Sequence, residues 1–241
     1  MRPLHIIMPM AGEGSRFRNA GWTTPKPLIE LDGKPLFVRA IESVKINGAP
    51  MKYSLIVRQE HIDEHHIDES IKEILPEAMI YSVEKTTRGA VETCLMAEKG
   101  IDDNDAVVVM DCDLEFRSEA YRKIIEEALH DNSARGGALV SFESNLPKYS
   151  YAEIDTNSNV IRTAEKEVIS SHALCGAYFF ASGKEFKEVA HQLLNEPVML
   201  KPEFYVSLLF NYLLKKGDVV KLAPMGLYRS YGTPEELQQY L

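Results

Sequence analysis

Leu4-His5-Ile6-Ile7-Met8-Pro9-Met10-Ala11-Gly12-Glu13-Gly14-Ser15-Arg16-Phe17, continued by Thr24-Pro25-Lys26-Pro27, is the stretch on which the fold is read. Leu4 to Met10 is an apolar run of strand length that empties into a glycine-rich loop. Glycine puts no Cβ in a ligand's way and adopts positive φ cheaply. Backbone N–H groups in such a loop can gather into a concave nest for anions. Arg16, and Lys26 between its two prolines, add fixed positive charge at the same place. Strand, loop and cations together predict a site for a phosphate-rich ligand.

Working outward, 27–31 reads as a short extended run and Asp32-Gly33 as a turn. Pro35 suits a first helical position, and Phe37, Ala40, Ile41 and Val44 then recur at helical spacing. A strand over 52–57 precedes a helix over 60–75, with Ile67, Ile71, Ile74 and Leu75 inward. A strand over 78–83 follows, then a helix opened by Arg88-Gly89 with Val91, Cys94 and Leu95 inward. Ala106 to Met110 is continuously apolar, as expected of a central strand covered on both faces, and ends in Asp111-Cys112-Asp113. Ser118 caps the next helix, and 137–142 is a fifth strand. Successive βα units predict a mostly parallel sheet with helices on both faces and ligands at the carboxyl ends of its strands. The glycine loop, 84–89 and 111–113 then converge on one crevice.

The second half is richer in hairpins. Runs over 150–155 and 159–164 flank an Asn-Ser-Asn turn, and 173–180 is a further strand. Helices open at Ser182, with Glu185 completing a capping box, at Pro202, and at Thr233-Pro234. One domain over 1–241 is expected, divided into halves 1–142 and 143–241.

Composition narrows the function. Lys and Arg number 27 against 36 Asp and Glu, a net charge of −9. That balance argues against nucleic acid or a membrane surface as partner. No apolar run has the length of a membrane span, and no signal-peptide pattern opens the chain. Cys94, Cys112 and Cys175 are widely spaced among apolar neighbours, which favours a reducing cytoplasm over a disulfide framework. Homo-oligomerisation is left open.

Taken singly, the polar residues are ambiguous. Gly12-x-Gly14 lacks the third glycine of a dinucleotide fingerprint and the Gly-Lys-Ser/Thr ending of a P-loop, so it is a tight turn or a ligand loop. Asp111 and Asp113 are hard oxygen donors suited to Mg²⁺ beside phosphate, or turn residues. Glu165-Lys166 is by itself a surface ion pair, and Glu84 is unremarkable. His61 and His65, at i and i+4, could hold a metal, but no third ligand is evident and a solvated helix face is the plainer reading.

Together these residues resemble the sugar-phosphate nucleotidylyltransferases, which join a nucleoside triphosphate to a sugar 1-phosphate or similar small phosphate on the Rossmann-like GT-A fold. The resemblance runs from Leu4 to about Tyr240 and is strongest in Gly12-x-Gly-Ser-Arg16 and Pro25-Lys26-Pro27-Leu28. The strand-then-aspartate motif matches 107–113, the acceptor segment is similar to Tyr149-Ser150-Tyr151-Ala152-Glu153, and the acceptor Glu-Lys matches Glu165-Lys166. Gly176-Ala177-Tyr178 and Gly232-Thr-Pro-Glu-Glu-Leu237 complete it. Three positions depart. Ser230 stands where many relatives carry a metal-binding aspartate, Ser150 replaces a glycine, and Glu84 takes the spacing of a base-reading glutamine.

The resemblance implies an α/β GT-A fold with a nucleotide-binding half over 1–142 and an acceptor-binding half over 143–241. It implies Mg²⁺ on Asp113, with Asp111 auxiliary. A nucleoside triphosphate would lie against Met10, Ala11, Gly12, Gly14, Ser15, Glu84 and Gly89, and a small phosphorylated acceptor against Tyr151, Glu165 and Gly176. Three catalytic cations are implied: Arg16 on the β and γ phosphates, Lys26 on the α phosphate, and Lys166 on the acceptor phosphate. The acceptor phosphate, with a second pKa near ~6, is already largely dianionic and needs no general base. The alternatives are a GT-A glycosyltransferase using a finished nucleotide sugar at Asp111-x-Asp113, and a non-catalytic nucleotide-binding module, for which Ser230 is the motive. The glycine loop and Pro-Lys-Pro favour the first reading, because a diphosphate donor needs no site for departing pyrophosphate.

Overall fold

The computed structural model describes residues 1–196 and 203–241. In chain order it begins with β1 (Leu4–Met10), α1 (Ser15–Asn19), the short pair β2 (Glu30–Leu31) and β3 (Lys34–Pro35), then α2 (Leu36–Val44). There follow β4 (Met51–Arg58), α3 (Gln59–His65), α4 (Ile67–Ile74), β5 (Met79–Val83), α5 (Ala90–Leu95), β6 (Ala106–Met110), β7 (Leu114–Arg117), α6 (Glu119–His130) and β8 (Gly137–Glu143). The second half adds β9 (Ser150–Ile154), β10 (Val160–Glu165), β11 (His172–Phe180), α7 (Gly183–Leu194), α8 (Leu209–Lys215), β12 (Val220–Pro224), β13 (Leu227–Ser230) and α9 (Pro234–Gln238).

β1 lies in the middle of the sheet, parallel to β4 on one side and β6 on the other, with β5 parallel beyond β4. Strand alternation explains why it can. Leu4, Ile6, Met8 and Met10 enter one apolar layer, while Ile7 enters the opposite layer. β6 does the same, with Ala106, Val108 and Met110 on one face and Val107 and Val109 on the other. Each fully buried valine or leucine contributes about 1.5–3 kcal/mol, so both faces must be covered by helices. Side chains of α2, α4 and α6 pack in the first layer, and those of α5, α7 and α8 in the second.

The sheet is mostly parallel, but β11 and the edge strand β10 run against the rest. β11 runs antiparallel to both β6 and β8, so the fifth predicted strand does not adjoin the fourth. β11 also touches β9 at its start, and β12 runs parallel to β8 beyond. Its register slips between Leu174 and Tyr178, around Gly176. A separate two-stranded sheet, β7 with β13, brings the C-terminal segment to the end of β6.

Three sequence expectations need correction. The helix over 60–75 is two helices, broken where His66 takes a φ of 50°. The break turns Ile74 outward, 42% exposed, although Ile67 and Ile71 are buried. The extended run at 27–31 begins with a 3₁₀ turn over Lys26–Leu28. In the second half the start at Pro202 lies outside the described residues; Leu208 and Leu209 are buried where a 3₁₀ turn over Val206–Leu208 leads into α8. The caps at Ser118, Ser182 and Thr233 are as read: each side chain accepts an N–H three residues on. Among the described residues no helix is long and apolar enough to cross a membrane.

Candidate active site

The loop after β1 is held by its own backbone and by a small apolar cluster. Gly14 has a φ of 62°, and its carbonyl accepts from the N–H groups of Phe17 and Arg18 at 3.0 and 3.1 Å. Phe17 is buried with Ile29, Leu31, Leu36, Tyr231 and Leu237. The loop is thus clamped at both ends, and the 3₁₀ turn that follows aims Lys26 at the end of β6. Lys26 Nζ donates to Asp113 Oδ2 at 2.7 Å.

This pair sets the electrostatics. Burial works against the Lys26 charge, but Asp113, with Cys112 and Asp111 behind it, holds the ammonium above its ordinary value. Burial likewise pushes Asp113 up, yet Lys26 outweighs it and keeps the carboxyl below the usual carboxylate range. Asp111 has no such partner. Its side chain opens onto the crevice but lies deep among protein atoms, and burial, then Asp113 and Glu165, push it up to about 7. Its N–H donates to the Gly176 carbonyl at 2.9 Å. Gly176, at the register slip of β11, has a φ of 88°, and a Cβ there would overlap Asp111 Oδ2.

Two cavities meet at these aspartates. The first, about 420 Å³, lies between the loop and α3, lined by Met10, Gly12, Gly14, Trp22, Lys26 and His61, with Asp111 and Asp113 at its floor. The second, about 390 Å³, faces the second half, and Asp111 and Asp113 line it too. Its other walls include Arg16, Lys148, Tyr149, Glu165, Glu203 and Tyr205.

The residues around the second cavity are built differently. Glu165 Oε2 accepts from the hydroxyls of Ser150 and Ser207 at 2.5 and 2.8 Å. Ser150, the residue that departs from the glycine pattern, therefore orients the glutamate. Lys166 has a φ of 57°, and its ammonium donates to the Tyr205 hydroxyl at 2.5 Å, which raises its pKa. Tyr205 in turn donates to Glu203.

Most predicted residues therefore come together, with four placements that the sequence did not foretell. Tyr151 is fully buried, its hydroxyl donating to the Leu146 carbonyl, because alternation along β9 turns it away from the cavity that Ser150 lines. Arg16 borders the second cavity rather than sitting among the walls of the first. Glu84 is exposed just past the end of β5. Gly89 has a local reason to be glycine: a Cβ would lie 2.6 Å from the Phe204 backbone nitrogen. Ala11 and Ser15 complete the loop, the Ala11 carbonyl accepting from Arg58 Nη1 at 3.4 Å. His61 and His65 lie edge to face, 6.1 Å between ring centroids.

Sequence reasoning missed Arg58, Lys148, Ser207 and Glu236. Arg58 was findable, because it ends a strand at the carboxyl edge where ligands bind. Ser207 reaches Glu165 from 42 residues away, and no local signal marks it.

A divalent cation fits the shared aspartates. Asp111 and Asp113 are oxygen donors one residue apart, and a bound cation would offset the burial and the neighbouring carboxylates that lift Asp111. Among the described residues no group of three or more His, Cys, Asp or Glu could hold a metal. Two carboxylates completed by substrate phosphates is the usual arrangement for Mg²⁺.

Comparison with known proteins gives consistent matches. A family model described as nucleotidyl transferase matches residues 4–219. The chain is 22% identical over 227 residues to the bifunctional protein GlmU of Buchnera aphidicola subsp. Schizaphis graminum, covering 91% of this chain and 46% of that protein. The chain thus spans about half the length of the curated relatives it matches. Among solved structures, a nucleoside-diphosphate-sugar pyrophosphorylase from Vibrio cholerae RC9 superposes with a TM-score of 0.83 at 25% identity, covering 99% of both chains. The inositol-1-phosphate CTP transferase from T. maritima shares the fold, with a TM-score of 0.73 at 18% identity over 100% of this chain and 94% of that one.

Proposed function

From the premise that the chain belongs to the nucleotidyl transferase family, we propose that it transfers a nucleoside monophosphate from a nucleoside triphosphate to a sugar 1-phosphate or another small phosphate. Pyrophosphate leaves, and a nucleoside-diphosphate-linked precursor forms. The observation that carries this reading is the pair of cavities sharing Asp111 and Asp113. Each cavity suits one phosphate-bearing substrate, and the shared carboxylates mark where their phosphates meet.

The triphosphate lies in the first cavity, its oxygens on the backbone donors of the Gly12–Gly14 loop. The half over 1–142 supplies this side, and the half over 143–241 supplies most of the acceptor side. Asp111 and Asp113 would hold Mg²⁺, which when bound supplies charge neutralisation on the triphosphate. Lys26, kept protonated by Asp113, faces the α phosphate. An acceptor phosphate oxygen attacks the α phosphorus; that P–O bond forms while the bond to the β-phosphate bridging oxygen breaks, and pyrophosphate departs with the electron pair. The acceptor is largely dianionic at neutral pH, so no residue needs to remove a proton. Positioning and charge stabilisation are what remain for the protein to supply. Arg16, on the acceptor side of the junction, stabilises the oxygens where the two phosphates join. Glu165, oriented by two hydroxyls, accepts a hydrogen bond from the acceptor body. Lys166 reaches the acceptor phosphate on leaving Tyr205. Three buried free cysteines suit a reducing cytoplasm.

The test is pyrophosphate release with Mg²⁺, crossing CTP, UTP, dTTP, GTP and ATP against glucose 1-phosphate, inositol 1-phosphate and phosphocholine. One pair should release pyrophosphate in step with product. Release from no pair, with the triphosphate still bound, would overturn the reading in favour of a binding module.

A further inference from the structure

Two lysine–tyrosine–glutamate arrangements flank the second cavity. In one, Lys166 lies over the Tyr205 ring at 4.7 Å, with Glu203 beside it. In the other, Lys148 lies 4.9 Å from the Tyr149 ring centroid, and its ammonium donates to Glu236 Oε1 at 2.7 Å. The first falls on the acceptor Glu-Lys that the sequence singled out. The second carries no motif of its own.

Charge makes the second arrangement necessary. Asp111, Asp113, Glu165 and Glu203 all line the cavity, whereas its lining cations are Arg16 and Lys148. Lys26 lines the first cavity and not this one, and Lys166 lines neither. Even with Asp113 paired to Lys26, a phosphate dianion brought against these carboxylates is repelled unless cations stand nearer to it than they do. Lys148 fits that task. An ammonium has three donors, and the bond to Glu236 uses one.

Glu236 is itself pinned. Its Oε2 accepts from Ser230 Oγ at 2.7 Å and from the Gly232 N–H at 3.1 Å, leaving Oε1 for Lys148. An aspartate at 230 would set carboxylate against carboxylate. The serine at this position donates instead, so Ser230 and Glu236 act as one device.

Resting on the reading of the second cavity as the acceptor site, we infer that Lys148 binds the acceptor's phosphate and that Glu236, pinned by Ser230, is its positioning residue. The probe is inorganic phosphate, titrated by calorimetry into the wild-type chain and into Lys148→Gln. The variant should bind phosphate at least tenfold more weakly, while Lys148→Arg stays within a few-fold of wild type and Glu236→Gln falls between. Trp22 lines the first cavity, so its fluorescence follows triphosphate binding, which should be the same in all four proteins. Melting curves establish that each variant is folded; half of the Lys148 side chain is already in solvent. Equal phosphate affinity in wild type and Lys148→Gln, or no phosphate binding by wild type, overturns the assignment. So does a loss of phosphate and triphosphate binding together, which marks a structural role. With the acceptor that supports turnover, Lys148→Gln should raise the acceptor KM at least tenfold with the triphosphate KM unmoved. Absence of turnover in wild type refutes nucleotidyl transfer alone, because the phosphate titration decides the role of Lys148 independently.

Discussion

The two cavities on either side of Asp111 and Asp113 hold their charges in opposite ways. On the loop side the key cation is short of freedom. Lys26 sits between two prolines in a 3₁₀ turn, its side chain is 23% exposed, and it is locked to Asp113. On the other side, besides Arg16, the cations are long, half-exposed arms, Lys148 at the cavity wall and Lys166 beside it, each leaning on a tyrosine and tied to a glutamate or a tyrosine hydroxyl. The difference matches the work proposed for each side. Every nucleoside triphosphate presents the same phosphates, so a rigid, preorganised cradle serves. Acceptors differ in shape, and side chains that can leave their resting partners accommodate them.

The contrast can be broken by experiment, starting with its rigid half. Lys26→Ala should cut turnover by about 10²–10³, the scale of removing one preorganised charge-stabilising group, while melting curves show a folded protein. Near-normal turnover would mean that the rigid cradle is not where the chemistry is supported. Gly176→Ala strikes the junction. A side chain at a φ of 88°, overlapping Asp111, should cost roughly 1–3 kcal/mol of stability and raise both KM values together. A rise confined to one substrate would separate Asp111 from the shared role. Ser230→Asp tests the flexible half. Repelling Glu236 should free Lys148 and raise the acceptor KM about 3–5-fold, as befits a partly exposed ion pair. An unchanged acceptor KM in that variant would detach Ser230 from the acceptor side.

The smallest effect is in pH. Asp113 is depressed, so its contribution is present above the unfolded value near ~3.9 and is lost as pH falls through the lower folded one. Lys26 is raised, so its contribution is present below ~10.4 and is lost as pH rises through the folded value. The rigid pair is therefore constant between those limits. A cation bound to Asp111 would hold that carboxylate ionised, which leaves the acceptor phosphate, near ~6, as the group that titrates, so kcat/KM for the acceptor should fall about twofold between pH 8 and pH 6. Lys26→Arg should keep the same profile, and a changed profile would put a protein group rather than the acceptor in control.

Legibility in the sequence followed the same division. The glycine loop, Lys26 and Asp111-x-Asp113 are contiguous or belong to strand ends, so apolar runs and turn residues located them directly. The parallel core was readable because β1 and β6 are apolar on both faces. β11 misled, since nothing in its sequence says that it runs antiparallel between β6 and β8. Around the second cavity the contacts are long-range. Ser207 meets Glu165, and Glu236 meets Lys148 across 88 residues. Tyr151 is turned away from the cavity for a simpler reason: a step of one residue along a strand turns a side chain to the opposite face.

The central claim is that two phosphates meet at Asp111 and Asp113 in a single displacement. It is tested most directly by the stereochemistry at the α phosphorus, using a nucleoside triphosphate carrying one α-thio diastereomer and the acceptor that supports pyrophosphate release. The two-cavity site predicts inverted configuration in the product. Retention would require a covalent nucleotidyl intermediate and would contradict the account.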